Sequence, residues 1–224
     1  MLVTFFRHGK SVDAANGLSQ HPQSPLTEAS IEVLQKVGTG FDKRNYDAIY
    51  TSTFLRAQQT AEALFGEGAY KVLEFVHESD MTPHLYKKRH EDAVGYWQTL
   101  AEEFKFDPDY RHGEKEGIKG ETFNELCART ERLLEFLSER HEENERIVVV
   151  GHGIYIRVLL ARLLMKQEFS YRGYLQAFQN LRLENGAMLT IELDKKLAQW
   201  CCARCGIGRS CRSPALFSSS RNIG

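Results

Sequence analysis

LVTFFRHGKS occupies residues 2–11 and joins an apolar run directly to a charged, glycine-containing loop. Residues 2–6 are mostly aliphatic and aromatic, so they predict a short buried strand. Arg7, His8 and Gly9 follow at the carboxyl end of that strand. Ligands of open α/β sheets bind beyond the carboxyl ends of the strands, so this loop is a candidate functional site.

Gly151-His152-Gly153 repeats this local context farther along the chain. The motif follows four aliphatic residues at 147–150, which predict a strand buried on both faces, and it precedes an apolar helical stretch at residues 154–165. Because the carboxyl ends of parallel strands meet at one edge of a sheet, we expect His8 and His152 to lie together. The alternative is that His8 is a hydrogen-bonded structural residue and that His152 is a turn residue at the end of its strand.

Two arginines are placed to bind an anion at the same edge. Arg7 precedes His8, and Arg56 lies in a helix predicted at residues 54–65, after a strand predicted at residues 46–50. A guanidinium group donates two parallel hydrogen bonds to an oxyanion such as phosphate, and the helix start adds amide donors. The alternative for Arg56 is an ion pair with a neighbouring acid on a solvated helix face.

Predicted strands and helices alternate along most of the chain. Further strands are predicted at residues 71–76 and in a hairpin around Asn185-Gly186, and further helices begin at Thr27 and at a capping box of Thr122 and Glu125. This order indicates an α/β fold of three layers, α/β/α, with a mainly parallel sheet and an antiparallel element near the end. Residues 77–121 interrupt the alternation and are interpreted as an inserted lid.

The Arg7-His8-Gly9 motif resembles the signature of the histidine phosphatase superfamily, which includes the cofactor-dependent phosphoglycerate mutases. Three further segments are similar to that family in the same order: Pro25-Leu26-Thr27-Glu28, Ser52 with Arg56-Ala57 and Thr60-Ala61, and Gly151-His152-Gly153. The match spans residues 2–193. The resemblance implies the phosphoglycerate mutase-like fold and the chemistry of a bacterial phosphatase branch.

That chemistry assigns a role to each candidate residue. His8 would attack phosphorus and become a phosphohistidine, while Arg7, Arg56 and His152 bind the phosphoryl oxygens. A carboxylic acid would protonate the leaving oxygen and then activate water. The resemblance implies no cofactor and no metal. The expected partner is a small phosphorylated substrate, with a phosphoprotein as the alternative.

The identity of the acid is open among three residues. Glu78 follows the strand predicted at residues 71–76, Glu74 lies inside that strand, and Asp80 comes two residues after Glu78. The strand-end argument favours Glu78 over Glu74, with Asp80 third. The stretch from Glu78 to Pro83 is also similar to a glutamate-to-proline segment in the bacterial branch.

Other functions of the same fold stay open. The family has Glu or Ala where Lys10 stands, and the asparagine of the mutase pattern would fall on Ala14, with Asn16 out of register. This departure weakens the inference of mutase chemistry. The alternatives to a phosphatase are therefore a phosphomutase and a catalytically silent module that binds a phosphate ligand or a protein.

Bulk composition limits the partners and the domain plan. The chain has 224 residues, 42% hydrophobic and 26% charged, with a net charge of −1, which provides no global attraction for nucleic acid or an anionic membrane. We expect one histidine phosphatase-like domain at residues 1–197 and a cytoplasmic location. Residues 198–224 contain four of the five cysteines and many serines, and we expect a poorly ordered tail without a catalytic role. The oligomeric state is not predicted.

Overall fold

The computed structural model describes residues 1–18, 20–79, 107–111, 120–178, 181 and 183–194. Its strands are β1 (Leu2–Arg7), β2 (Ala48–Ser52), β3 (Lys71–Leu73), β4 (Arg146–Gly151) and β5 (Met188–Glu192). They form one sheet in the order β3-β2-β4-β1-β5. Strands β1 to β4 pair in parallel and β5 is antiparallel to β1, which confirms the predicted mainly parallel sheet.

Six α-helices lie within the described residues, and short 3₁₀ helices occur at Lys43–Asn45, Glu74–Val76 and Lys166–Glu168. Two of the α-helices begin at the caps that the sequence predicts. The Thr27 hydroxyl accepts from the Ser30 amide, and Thr122 with Glu125 forms a reciprocal capping box. The α-helices are α1 (Val12–Ala15), α2 (Glu28–Gly38), α3 (Leu55–Phe65), α4 (Phe123–Arg140), α5 (Gly153–Met165) and α6 (Tyr171–Phe178).

Apolar side chains bury both faces of the central strand β4. Ile147 and Val149 pack in a cluster with leucines of α4 and α5, whereas Val148 and Val150 pack in a second cluster with residues of α2 and α3. Successive side chains of a strand point to opposite faces, so an all-aliphatic strand requires a cover on each side. The sheet therefore lies between two helical layers, and the three-layer α/β/α prediction is confirmed.

The bounds of two predicted strands need correction. Strand β2 begins and ends two residues later than predicted, because Ala48 is the residue that pairs with Ile147 of β4, and Ser52 still pairs with Leu73 of β3. Strand β3 ends at Leu73 because its only neighbour among the described strands, β2, ends at Ser52. Glu74 therefore begins a 3₁₀ helix and does not lie inside a strand.

The predicted hairpin around Asn185-Gly186 is wrong for the described residues. Leu181 and Leu183 are not in a strand, and β5 pairs with β1 instead. The Gly186 amide donates to the carbonyl groups of Arg7 and His8, so the turn binds the end of β1 and not an upstream strand. The antiparallel element near the end of the chain is nevertheless present.

Several predictions fall on residues that the structure does not describe. The predicted lid at residues 77–121 lies largely outside the described residues, and so does the tail at residues 198–224. Within the described part of the chain, each helix is too short or too polar to cross a membrane.

Candidate active site

His8 lies directly beyond β1 and is almost completely buried. Its Nδ1 atom lies 2.6 Å from the Gly9 carbonyl oxygen. A carbonyl only accepts, so Nδ1 carries the ring proton. Arg56 donates from Nε to His8 Nε2 over 3.2 Å, and Nε2 therefore presents a lone pair. The two contacts together define one neutral tautomer of His8.

Burial keeps the pKa of the His8 imidazole well below its usual value of 6.5. The neighbouring His152, Arg56 and Arg7 act in the same direction, and the hydrogen bond to Gly9 opposes them. His8 is consequently neutral at neutral pH. A neutral imidazole with an unprotonated Nε2 is the form that can act as a nucleophile.

Gly9 is enclosed between α2 and α3. A Cβ atom at this position would lie 2.3 Å from Ser30 Oγ and 2.8 Å from Leu34 Cδ1, so a side chain here would displace those of α2. The Gly9 amide donates to Thr60 Oγ1 over 3.0 Å. The glycine that the sequence motif requires therefore allows close packing around the loop that contains His8.

Arg56 lies in the first turn of α3 and is almost completely buried. Its Nη1 donates to the His21 carbonyl over 3.0 Å, and its Cζ lies 4.9 Å from the centroid of the Phe54 ring. These contacts hold the guanidinium beside His8. The amide of Leu55, at the start of the same helix, donates to the Pro22 carbonyl, so this predicted anion donor is already engaged.

His152 joins β4 to α5 and lies against His8, with 5.0 Å between the ring centroids. Its Nε2 lies 2.6 Å from Ser52 Oγ. Its Nδ1 is buried and has no hydrogen-bond partner within the described parts of the chain. Burial, followed by the charge of Arg56, keeps the pKa of His152 well below its usual value. A bound oxyanion would provide the missing partner for Nδ1.

Arg7 reaches the same region from the end of β1. Its Nη1 donates to the Leu183 carbonyl, and its guanidinium packs over Gly153, where a Cβ atom would lie 3.2 Å from Arg7 Nε. The positive charge of Arg7 helps to lower the pKa values of both His8 and His152. The structure thus brings together the two histidines and the two arginines that the sequence selects.

Glu78 reaches the site as a cap on helix α5. Its carboxylate accepts from the amide of Ile154 at 3.2 Å and from the amide of Tyr155 at 3.1 Å. These amides belong to the first turn of the helix that follows His152, so Glu78 also lies at the positive end of the helix dipole. The Ser79 amide donates to the same carboxylate over 3.0 Å.

The pKa of Glu78 is the result of opposing effects. Burial acts to raise the pKa, but the amides of Ser79, Ile154 and Tyr155 and the charge of Arg56 outweigh it, so the pKa lies below the usual value of 4.5. Glu78 is therefore ionised at neutral pH in the free protein. The rival Glu74 is exposed on the 3₁₀ helix, and Asp80 lies outside the described residues.

Arg129 of α4 holds the segment that contains Glu78. Its Nε and Nη2 donate to the Glu121 carboxylate at 2.6 and 2.7 Å, and its Nη1 donates to the carbonyl groups of Phe75 and His77 at 3.1 and 2.8 Å. Both side chains are largely buried. Sequence reasoning missed this pair because its spacing of eight residues matches no motif. We call Arg129 and Glu121 the clamp.

The sequence as a whole matches the family model of the histidine phosphatase superfamily (branch 1) over residues 3–200. The chain belongs to the histidine phosphatase superfamily. A relative from Escherichia coli (strain K12), named adenosylcobalamin/alpha-ribazole phosphatase, is 28% identical over 206 residues, which cover 88% of this chain and 93% of the relative.

Solved structures of other proteins share the histidine phosphatase fold. The alpha-ribazole phosphatase of Shigella flexneri has a TM-score of 0.65 at 24% identity, with 88% of this chain and 92% of that chain covered. A phosphoserine phosphatase mutant from Entamoeba histolytica, in complex with phosphoserine, has a TM-score of 0.62 at 23% identity, with 85% and 89% covered. At these identities the likeness establishes the fold.

The segments that resemble the histidine phosphatase superfamily meet around His8. Leu26 donates its amide to the Gln59 side chain, Thr60 binds the Gly9 amide, and Ser52 contacts His152. Within the described residues, no group of three or more histidine, cysteine or acidic side chains is arranged to hold a metal ion. Thr60 thus contacts the loop that contains His8, and Ser52 contacts His152 directly.

Proposed function

We propose that the chain is a phosphatase that hydrolyses a phosphate monoester through a phosphohistidine on His8. The observation that supports this most directly is the pair of contacts of His8, with Nδ1 beside the Gly9 carbonyl oxygen and Nε2 beside the Arg56 guanidinium, which together imply an unprotonated Nε2. An unprotonated nitrogen next to a buried cation suits attack on an anionic phosphorus centre. Membership of the histidine phosphatase superfamily supports the same reaction class.

In the first step, the Arg56 Nε–H turns from His8 Nε2 to a phosphoryl oxygen, and His8 Nε2 forms a bond to phosphorus while the bond from phosphorus to the ester oxygen breaks. Arg7, Arg56 and His152 bind the three phosphoryl oxygens, with His152 Nδ1 as a buried site that still lacks a partner within the described residues. The proton on His8 Nδ1 stays in place. The Gly9 carbonyl then stabilises the positive charge of the phosphorylated ring.

Glu78 is the proposed acid and base. The free protein holds it ionised, so the first step requires that a proton arrives with the substrate. A phosphate dianion beside the carboxylate raises its pKa by like-charge repulsion, which favours that proton. Glu78 then protonates the leaving oxygen, and its carboxylate takes a proton from the water that attacks the phosphohistidine. Inorganic phosphate leaves, and the second step restores His8.

The proposed substrate is a small phosphorylated compound, and the proposed reaction uses neither cofactor nor metal. The similarity to the Escherichia coli adenosylcobalamin/alpha-ribazole phosphatase makes alpha-ribazole phosphate the first compound to test. Phosphoserine is the second, because a structural neighbour binds it. A phosphoprotein is the alternative substrate class.

Release of phosphate from p-nitrophenyl phosphate, with a chelator present, tests the proposal. We expect turnover by the wild type and a loss of at least about a thousandfold in His8→Ala, because that variant lacks the nucleophile. Acid-labile phosphate on the wild type, absent from His8→Ala, would support the intermediate. Circular dichroism checks that the variant folds. Turnover that survives in His8→Ala would contradict the proposal. In a second assay, with a phosphoglycerate as substrate, an isomerised product without free phosphate would indicate a mutase.

A further inference from the structure

Asn185 contacts the loop that contains His8 from the opposite end of the chain. Its Nδ2 donates to the Gly9 carbonyl over 2.9 Å and lies 3.4 Å from the His8 carbonyl oxygen. The amide of Gly186 donates to the carbonyl groups of Arg7 at 3.1 Å and His8 at 3.2 Å. The turn before β5 therefore supplies side-chain and main-chain donors to three successive carbonyl groups.

One of these carbonyl groups is decisive for the chemistry of His8. The Gly9 oxygen accepts both from His8 Nδ1 at 2.6 Å and from Asn185 Nδ2 at 2.9 Å. If this oxygen turned away, His8 Nδ1 would lose the acceptor that fixes its proton there. A proton that moved to Nε2 would occupy the lone pair beside Arg56.

We infer that Asn185 is a positioning residue that fixes the Gly9 carbonyl and thereby holds His8 in the tautomer with an unprotonated Nε2. This role deepens the proposed function and rests on it where turnover is concerned. The tautomer itself is a property of the free protein and does not depend on turnover. Asn185 is exposed on its outer side, and its donor group faces inward to the loop.

Asn185→Asp removes the donor and keeps the turn, because Asp-Gly and Asn-Gly favour the same turn types. The new carboxylate would face two carbonyl oxygens and add a negative charge near His8. In the wild type, the groups that lower the pKa of His8 by their charge are His152, Arg56 and Arg7. We expect the pKa of His8 to rise by about one pH unit and the Nε2–H tautomer to become populated. Asn45→Asp is the matched control. Asn45 is exposed and precedes β2, so it lies near the amino end of a strand, whereas His8 lies beyond a carboxyl end.

Imidazole ¹⁵N chemical shifts measure tautomer and pKa directly, with the His8 signal assigned by its absence in His8→Gln. In a parallel assay, kcat/KM for p-nitrophenyl phosphate should fall by about tenfold in Asn185→Asp throughout the pH range in which His8 is neutral, because the Nε2–H tautomer has no lone pair with which to attack phosphorus. A residue that served only the turn would leave the His8 tautomer unchanged, whereas the added charge by itself would raise only the pKa of His8.

The two readouts separate the inference from the proposed function. An inactive wild type whose His8 tautomer responds to Asn185→Asp would support the role of Asn185 and contradict the phosphatase. An active, His8-dependent wild type whose tautomer and kcat/KM are the same in Asn185→Asp would overturn the role of Asn185 alone.

Discussion

The two halves of the site are built in different ways. The strand-end half consists of residues 7–9 and 151–153, and it follows β1 and β4, which pair along their whole lengths from Leu2↔Arg146 to Arg7↔Gly151. The acid half consists of residues 74–79 with the clamp, and it follows β3, an edge strand of three residues. Glu78 is thus positioned by helix amides and by the Arg129 side chain rather than by a ladder of strand hydrogen bonds.

Because of this difference, substitutions in the two halves should have different effects on stability and on activity. A residue that supports the strand-end half also belongs to the sheet core, so its loss disturbs the fold. A residue that supports the acid half contacts one segment beyond the edge strand β3, so its loss can displace Glu78 while the sheet stays intact. Variants of the acid half should therefore report on catalysis without global unfolding, and they provide the sharpest tests of this division.

Glu78→Gln should give the largest effect of these tests. Gln cannot donate a carboxylic proton, so kcat/KM for an alkyl phosphate should fall by about 10²–10⁴-fold. The fall should be much smaller for p-nitrophenyl phosphate, because p-nitrophenolate leaves without protonation. The measurement is kcat/KM for glycerol phosphate and p-nitrophenyl phosphate side by side.

Glu74→Gln is the matched control for this experiment. Glu74 lies four residues earlier, on the 3₁₀ helix, and its side chain is exposed. We expect its kcat/KM for both substrates to equal that of the wild type. Equal losses on the two substrates in Glu78→Gln, or a selective loss in Glu74→Gln, would remove Glu78 from the acid role.

Arg129→Lys should give an intermediate effect of about tenfold on the alkyl phosphate. Lysine keeps a charge opposite Glu121, which avoids an unpaired buried carboxylate, but it lacks the fork that also donates to the Phe75 and His77 carbonyl groups. Glu78 then loses its fixed position. The measurement is the same pair of substrates, and the loss should again be greater for the alkyl phosphate.

Arg132→Lys is the control for the clamp, because Arg132 lies on the same helix and places its guanidinium 4.5 Å from the centroid of the Phe75 ring. A general weakening of α4 would lower kcat/KM for the two substrates equally in Arg129→Lys. That result would show that the clamp stabilises the fold without positioning Glu78.

The same division explains how much of the site could be predicted from the sequence alone. His8, Arg56 and His152 follow or adjoin central strands, and the apolar pattern of those strands was sufficient to place all three at one edge. The sequence also favoured Glu78 over Glu74, but for an incomplete reason, because β3 ends at Leu73 and the chain continues as a 3₁₀ helix. A strand-end argument cannot foresee a carboxylate that caps a helix far along the chain.

Side-chain contacts between distant segments were beyond prediction for a related reason. The clamp joins residues 75–78 to α4, and Asn185 contacts Gly9 across 176 positions of sequence. Asn185-Gly186 has the composition of a hairpin turn, and only the pairing of β5 with β1 reveals that the turn binds the loop after β1. Local pattern identifies the turn, whereas the sheet order determines what it contacts.

The smallest expected effect is a difference in how the two halves respond to acid. The pKa values of His8 and His152 lie well below 6.5, so at lower pH the unfolded chain binds protons that the folded chain does not. The free energy of unfolding therefore falls as the pH drops below about 6.5, by at most about 1.4 kcal/mol per pH unit for each histidine. The pKa of Glu78 is lowered from 4.5, so its contribution is lost only below about that pH.

Urea unfolding at a series of pH values separates these contributions. Relative to the wild type, His152→Gln should lose part of the pH dependence between about pH 6.5 and 4.5, because one buried neutral histidine no longer titrates. Glu78→Gln should follow the wild type through that range and differ from it only below about pH 4.5. If the two variants lost pH dependence over the same interval, the ionisation of Glu78 would be coupled to that of the histidines. The two halves would then titrate as one unit. Arg56 would provide that coupling, because its charge acts on His8, Glu78 and His152.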